Sequence, residues 1–153
     1  MEEKDINSYT FYCKNFLYIK NIINEKYINQ LDKVMLIVFY DNDLYKQYLK
    51  LRKEDDFIIK LKEKFSNDSD FYNNEEEGVF IICGGIEETI DIIINGIFNG
   101  ENPLNKKELE SINILEGKKT NKFFYITMIQ ILFFKTEGNM SFHFKELQNK
   151  YSE

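Results

Sequence analysis

The most apolar long stretch of the chain runs from Gly78 to Gly100 and reads GVFIICGGIEETIDIIINGIFNG. Apolar residues recur along it at intervals of three or four, the spacing that places them on one face of an α-helix. These residues are Val79, Ile82, Ile86, Ile90, Ile93 and Ile97. Further apolar residues cover much of the remaining circumference. A helix with so little polar surface is normally buried on most sides, so the stretch predicts the central helix of a helical bundle.

The size and composition are those of a single domain. A chain of 153 residues falls within the usual range for one domain, and contents of 43% hydrophobic and 16% aromatic residues suffice for a core. We therefore expect one domain over residues 1–153, with residues 1–8 frayed. The pattern indicates neither an internal repeat nor a second domain.

The charge balance argues against nucleic acid as a partner. The net charge is −6, from 26 acidic and 20 basic residues, and Arg52 is the single arginine. Nucleic-acid binding requires a basic surface, and the readout of phosphates and bases depends heavily on arginine. We expect no nucleic-acid partner.

The sequence carries no pattern for secretion or membrane insertion. The opening MEEKDINSYT is polar and acidic, unlike a signal peptide. The apolar run Phe123–Phe134 is too short for a bilayer-spanning helix, which needs roughly 20 residues. Cys13 and Cys83 lack the spacing of metal ligands and lie in apolar surroundings, which is typical of buried, reduced thiols. We expect a cytoplasmic protein without membrane insertion.

The first half of the chain predicts further helices. Apolar residues follow helical steps over residues 11–39, although a strand in MLIVFY is the rival interpretation. Asp43 is expected to cap the next helix, and Asp55 or Asp56 a second one. The polar, acidic segment 66–77 is typical of an exposed loop.

Two segments follow the central stretch. Asn105 with Glu108 resembles a capping box, which predicts a short helix up to about Leu115. The run Phe123–Phe134 is apolar on every side, so periodicity alone does not distinguish helix from strand there.

The C-terminal segment predicts a helix after a turn at residues 137–139. Its apolar residues follow helical steps of four, three and four, and they are Met140, Phe144, Leu147 and Tyr151. The rival interpretation is a β-hairpin with strands near 124–134 and 140–145.

An α/β or α+β fold is the alternative to the helical bundle. It would place strands near 34–40, 79–83 and 123–134, the three short apolar runs of the chain. A chain of that fold would be a small enzyme or an inhibitor protein of another class.

No residue pattern predicts a catalytic, cofactor or metal site. His143 is the only histidine, and no constellation of Ser, Cys or Asp residues lies near it in the sequence. Gly84-Gly85 after VFIIC fits the start of a phosphate-binding helix, but two glutamates follow and no lysine, so we favour close packing of helices. Glu75–Glu77 lack the ligand spacing of a calcium loop and are typical of a solvated loop. We expect a protein that is not an enzyme and binds no cofactor.

Four blocks of the chain, in order, resemble the poxvirus Bcl-2-like family of immune modulators. IKNIINEKYINQLDKVMLIVF at 19–39 is similar to the first helix of that family. DLYKQYLKLRKEDDFIIK at 43–60 has a similar leucine–tyrosine opening and ends near an acidic pair. GVFIICGGIEETIDIIING at 78–96 resembles the buried central helix, and FKELQNKY at 144–151 the closing helix of some members.

The resemblance implies an all-α bundle of about seven helices around a buried central helix. It implies a non-enzymatic virulence factor of the host cytoplasm, which binds host signalling proteins and inhibits NF-κB activation or interferon induction. Some relatives instead inhibit apoptosis by holding pro-apoptotic helices in a surface groove. Some relatives pair through their first and sixth helices, so the resemblance also implies a homodimer.

The chain departs from the groove-binding members of that family. Cellular Bcl-2 proteins carry Asn-Trp-Gly-Arg at the start of the central helix, whereas EEEGVFIICGG here contains neither Trp nor Arg. The resemblance therefore favours signalling inhibition over apoptosis inhibition. Binding of a death-motif helix would still require an apolar groove. Its candidate lining residues are Tyr48, Leu51, Ile58, Leu61, Val79 and Ile82.

Overall fold

One antiparallel sheet organises the computed structural model, which describes residues 6–12, 33–65, 70–92, 105–112, 125–134 and 137–152. Each neighbouring pair of strands is antiparallel, and the order across the sheet is β1-β5-β2-β4-β3. The strands are β1 (Ile6–Tyr12), β2 (Lys33–Tyr40), β3 (Phe71–Asn74), β4 (Val79–Gly85) and β5 (Ile126–Phe134).

Helices lie on both faces of this sheet. They are α1 (Asn42–Leu51), α2 (Phe57–Lys64), α3 (Ile86–Asp91), α4 (Lys106–Ser111) and α5 (Glu137–Tyr151), and a 3-10 turn (Lys53–Asp55) joins α1 to α2. None of the helices in the described part of the chain combines the length and apolarity that a membrane crossing needs.

The central strands bury side chains on both faces because successive residues of a strand point to opposite sides. In β2, Val34, Leu36 and Val38 join one core cluster with residues of α1 and α2. Met35 and Ile37 join a second cluster with residues of α5. The result is three layers, with α1 and α2 on one face of the sheet and α5 on the other.

The predicted central helix over Gly78–Gly100 is wrong. Residues 79–85 form β4, which pairs with β2 from Val79 opposite Phe39 to Gly85 opposite Lys33. Only Ile86–Asp91 form an α-helix within this stretch, and residues 93–100 lie outside the described residues. A strand buried on both faces is apolar at nearly every position, so it also satisfies helical spacing by chance. The Val/Ile-rich run was the signal that favours a strand.

The all-α bundle of about seven helices is therefore wrong, and the fold is mixed α/β. The alternative interpretation located the central strands, since strands were expected near 34–40, 79–83 and 123–134 and are observed at 33–40, 79–85 and 126–134. The rival hairpin is wrong in its second strand, because 140–145 belongs to α5.

Three other predictions in the first half need correction. Of the helix predicted over residues 11–39, residues 11–12 end β1 and 33–39 lie in β2, while 13–32 lie outside the described residues. Within the predicted frayed end 1–8, residues 6–8 pair with β5. The predicted loop 66–77 contains β3, because pairing with β4 organises a segment with little apolar content of its own.

Features set by local interactions were predicted well. Asn105 and Glu108 form the expected capping box, with Asn105 N–H donating to Glu108 Oε1 at 3.1 Å and Glu108 N–H to Asn105 Oδ1 at 2.9 Å. Asp56 caps α2 by accepting from Ile59 N–H at 3.1 Å. The cap of α1 is Asp41, two residues before the predicted Asp43, and it accepts from Leu44 N–H at 3.1 Å.

The C-terminal helix also matches its predicted apolar stripe. Met140 and Phe144 are buried against the sheet, and Leu147 and Tyr151 pack against the same cluster.

Gly78 closes the turn between β3 and β4 and tests this architecture. Its φ of +67° is unfavourable for other residues, and an added Cβ would clash with the carbonyl oxygen of Tyr40. We expect Gly78→Ala to lower the unfolding free energy by about 2 kcal/mol or more in urea denaturation. Gly138→Ala is the control, since nothing lies within 4 Å of its added Cβ. Equal stability of the two variants would contradict this account of the turn.

Candidate functional site

The edge of the sheet at β3 is the candidate site. β4 is its neighbour on one side, and no described strand lies on the other. Cys83 N–H donates to the Asp70 carbonyl at 2.9 Å, just before β3 begins. In an antiparallel ladder the backbone groups of alternate residues face the same neighbour. Tyr72 and Asn74 therefore bond toward β4, and the backbone N–H and C=O groups of Phe71 and Asn73 face outward.

A pocket of about 660 Å³ lies beside this edge, and it is lined by residues of β3, α1 and α2 and by Gln148 of α5. Its wall and floor are apolar where Leu49, Ile58, Phe65 and Phe71 contribute. Polar and charged side chains complete the lining: Asn42, Tyr45, Lys46, Asp56, Lys62, Tyr72, Asn73, Glu75 and Gln148, together with exposed Ile59. An apolar interior with polar groups around it is the usual form of a binding pocket.

Hydrogen bonds tie the edge strand to the layers on both faces. Tyr40 Oη donates to Asn73 Oδ1 at 2.7 Å on the α1/α2 side. On the opposite face, Asn74 Nδ2 donates to the carbonyl oxygen of Tyr151. The strand is thus held in place although its outer backbone groups have no partner among the described residues.

Tyr45 links the pocket to the start of α2. Its hydroxyl donates to Asp56 Oδ1, and the same carboxylate caps the helix. The side-chain oxygen of Asn42, another pocket residue, is buried and has no hydrogen-bond partner among the described residues. The pocket wall therefore holds one unused acceptor.

Tyr40 and Tyr45 remain neutral at ordinary pH because their pKa values are raised. Burial raises the pKa of Tyr40 to about 12, with the nearby Glu75 carboxylate adding to the shift. Burial also raises the pKa of Tyr45, and the hydrogen bond to Asp56 and the negative charge of that carboxylate raise it further. Both hydroxyls therefore act as hydrogen-bond donors and not as bases or nucleophiles.

The six candidate groove residues are part of the core and do not form a groove. Tyr48, Ile58, Leu61 and Ile82 are buried on the α1/α2 face, and Leu51 packs against them. Val79 is buried on the opposite face of the sheet. Of the six, Ile58 lines the pocket described above.

His143 and Cys83, the described candidates for nucleophilic chemistry, pack against the core. The ring of His143 packs 5.7 Å from that of Phe134. Cys83 is buried, and burial raises its pKa to about 12, so the thiol is unreactive. Among the described residues no cluster of His, Cys, Asp and Glu is arranged to hold a metal.

The glycine pair of the central stretch was misinterpreted. Gly84 and Gly85 end β4, and α3 begins directly after them, so close packing of helices is wrong. The strand-then-helix geometry is present. An added Cβ at Gly84 would lie 3.4 Å from the Glu88 carboxylate. That negative charge leaves the helix start unsuited to a phosphate.

The sequence contained a signal for the edge strand that the loop interpretation missed. Glycine precedes an apolar run in NNEEEGVFIIC, which is typical of a hairpin whose second strand is buried. Asn74 organises this turn, since its side chain accepts from Glu77 N–H at 3.1 Å and its carbonyl from Gly78 N–H at 3.0 Å.

Asp56 offers a direct test of the link between pocket and helix. Asp56→Ala removes a helix cap and also leaves the buried hydroxyl of Tyr45 without its acceptor. We therefore expect the unfolding free energy to fall by about 2 kcal/mol. Asp41→Ala removes a cap of the same 3.1 Å geometry from α1. That control should lose about 1 kcal/mol. Urea denaturation measures both, and a smaller loss for Asp56→Ala would contradict the coupling.

The raised pKa of Tyr40 predicts a loss of stability in alkali. The folded state favours the neutral phenol, so this contribution is complete below the unfolded pKa near 10 and is lost as pH rises through about 12. We expect the urea midpoint of the protein to fall between about pH 10 and about pH 12. The fall should be shallower in Tyr40→Phe. Identical pH profiles of the two proteins would contradict the assignment.

Comparison with known proteins adds no relative to this picture. The chain matches no family model, no curated protein and no solved structure. The mixed α/β fold also differs from the bundle that the resemblance to the poxvirus family implied. The function is therefore argued from the geometry of the β3 edge.

Proposed function

We propose that this chain is a non-enzymatic binding protein that takes up an extended segment of a partner protein beside β3. The observation that carries the proposal is the outward-facing backbone of Phe71 and Asn73, which has no partner among the described residues. A strand edge of this kind pairs readily with another chain. Addition of a strand is a common way for a folded domain to bind a peptide.

The adjacent pocket supplies the selectivity that backbone pairing lacks. Side chains of an added strand would alternate between the two faces of the sheet. Those on the α1/α2 side would enter the pocket with its apolar floor of Ile58 and Phe65. Those on the other side would meet Tyr72 and Gln148.

The length of β3 sets the size of the bound segment. Four residues of strand span about 13 Å, so the paired part of the partner is about four residues long. A segment of this length binds weakly unless side chains contribute, which makes the pocket an essential part of the site.

Binding of a partner protein agrees with the kind of function that the resemblance implied. Inhibition of NF-κB or interferon signalling, a host-cytoplasmic location and homodimer formation remain predictions. The inhibition of apoptosis also remains a prediction, although the residues proposed to line a peptide-binding groove lie in the core. Reporter assays for both signalling pathways in transfected cells measure the first of these.

Asn73 provides the test of strand addition. Asn73→Pro removes the outward N–H, which is not part of the ladder with β4, and edge strands tolerate proline at such a position. Asn73→Ala is the matched control, since it loses the same bond from Tyr40 but keeps the N–H. We expect peptides selected from a random library to bind Asn73→Pro about tenfold more weakly than Asn73→Ala.

Isothermal titration with each selected peptide measures this difference, and circular dichroism checks that both variants keep the fold. Equal affinity of the two variants for every selected peptide would refute pairing with β3.

A further inference from the structure

We infer that the segment bound at β3 is basic, with lysine or arginine flanking an apolar residue, and that it comes from another protein and not from a second copy of this chain. This inference rests on the strand addition proposed above. It adds the chemistry of the partner, which the open backbone edge alone does not specify.

Acidic residues stand at both ends of the edge strand. Asp70 precedes β3, and Glu75–Glu77 follow it in the turn, where all three side chains are exposed. The hydrogen bonds of Asn74 order the backbone of this turn, which carries the three glutamates next to the end of β3. None of the three glutamates has an ion-pair partner among the described residues.

The lysines around the site do not cancel this charge. Lys46 and Lys62 line the pocket together with Asp56 and Glu75. On the other face, Lys145 and Asp70 line a smaller pocket of about 250 Å³. Among the described residues of these two pockets and of the turn, three ammonium groups therefore stand against five carboxylates, and Glu76 and Glu77 account for the excess. Charges of this sign attract a basic partner and repel an acidic one.

The same charges oppose pairing between two copies of the chain. An antiparallel pair of β3 strands would bring the Glu75–Glu77 turn of one copy toward Asp70 of the other. A parallel pair would bring the two glutamate turns together. Like charges opposite each other destabilise a strand pair. The open edge is thus protected against self-association, while it remains available to a basic segment.

The pocket determines which type of residue lies between the two basic residues of the bound segment. Its floor of Ile58 and Phe65 is buried, and Ile59 at its border is 49% exposed. An apolar side chain of the added strand would cover the exposed part of Ile59 and remove it from water. We therefore expect the central residue to be aliphatic or aromatic.

Selection from a phage-displayed library of random peptides, with the whole chain as bait, tests the inference. Binders are sorted by whether Asn73→Pro captures them about tenfold more weakly than Asn73→Ala does. We expect these edge-dependent peptides to be enriched in lysine and arginine on both sides of an apolar residue. Edge-dependent peptides without basic enrichment would overturn the inference and leave strand addition standing. A library without edge-dependent peptides would overturn strand addition itself.

A variant with fewer charges tests whether the glutamates of the Glu75–Glu77 turn contribute to binding. In Glu75→Gln/Glu76→Gln/Glu77→Gln, we expect the best edge-dependent peptide to bind about fivefold more weakly at low salt. The control Glu54→Gln/Glu110→Gln/Glu146→Gln changes the net charge equally at exposed positions that do not line the pocket. It should bind within about twofold of the unaltered protein. Equal losses in the two variants would assign the effect to net charge and overturn the role of the turn.

Analytical ultracentrifugation of the unaltered protein tests whether a second copy of the chain binds at β3. We expect no dimer that depends on the β3 edge. A dimer that Asn73→Pro dissociates and Asn73→Ala preserves would identify a second copy as the occupant and overturn the inference.

Discussion

Burial of the sheet on both faces is the constraint on which the rest of the structure depends. β2 lies between β4 and β5, and its residues 34–38 are no more than 2% exposed. Burial of each such side chain contributes about 1.5–3 kcal/mol, so the chain must cover both faces with helices. That requirement accounts for α1 and α2 on one side and α5 on the other.

The same constraint explains why the proposed binding site lies at an edge. The faces of the sheet are occupied by helices, so a partner finds open backbone groups only where the ladder ends. The layers on both faces fix β3 in place, since Tyr40 forms a hydrogen bond with Asn73 and the last residue of α5, Tyr151, forms one with Asn74. A strand that is already held in place loses little conformational freedom on binding, which favours affinity. In the proposed complex, the acidic turn and the pocket select the partner.

The parts of the fold that local interactions determine could be predicted from the sequence. The capping box of Asn105 and Glu108, the cap at Asp56 and the stripe of α5 depend on residues close together in the chain. The strands were mistaken for helices because Val79–Cys83 and Val34–Val38 are apolar at every position, which fits either period. The site was missed because FYNN becomes a strand only through its pairing with β4.

The sequence by itself determined the size of the core, the helix caps, the C-terminal helix and the location of three short apolar runs. It also supplied the acidic turn and the glycine that ends it. The tertiary structure decided that these runs are strands, which of their faces meet which helices, and that β3 is the last strand of the sheet among the described residues. The physical reason is that strand pairing joins residues far apart in the chain, such as Lys33 with Gly85 and with Phe134, and no local pattern specifies such a partner.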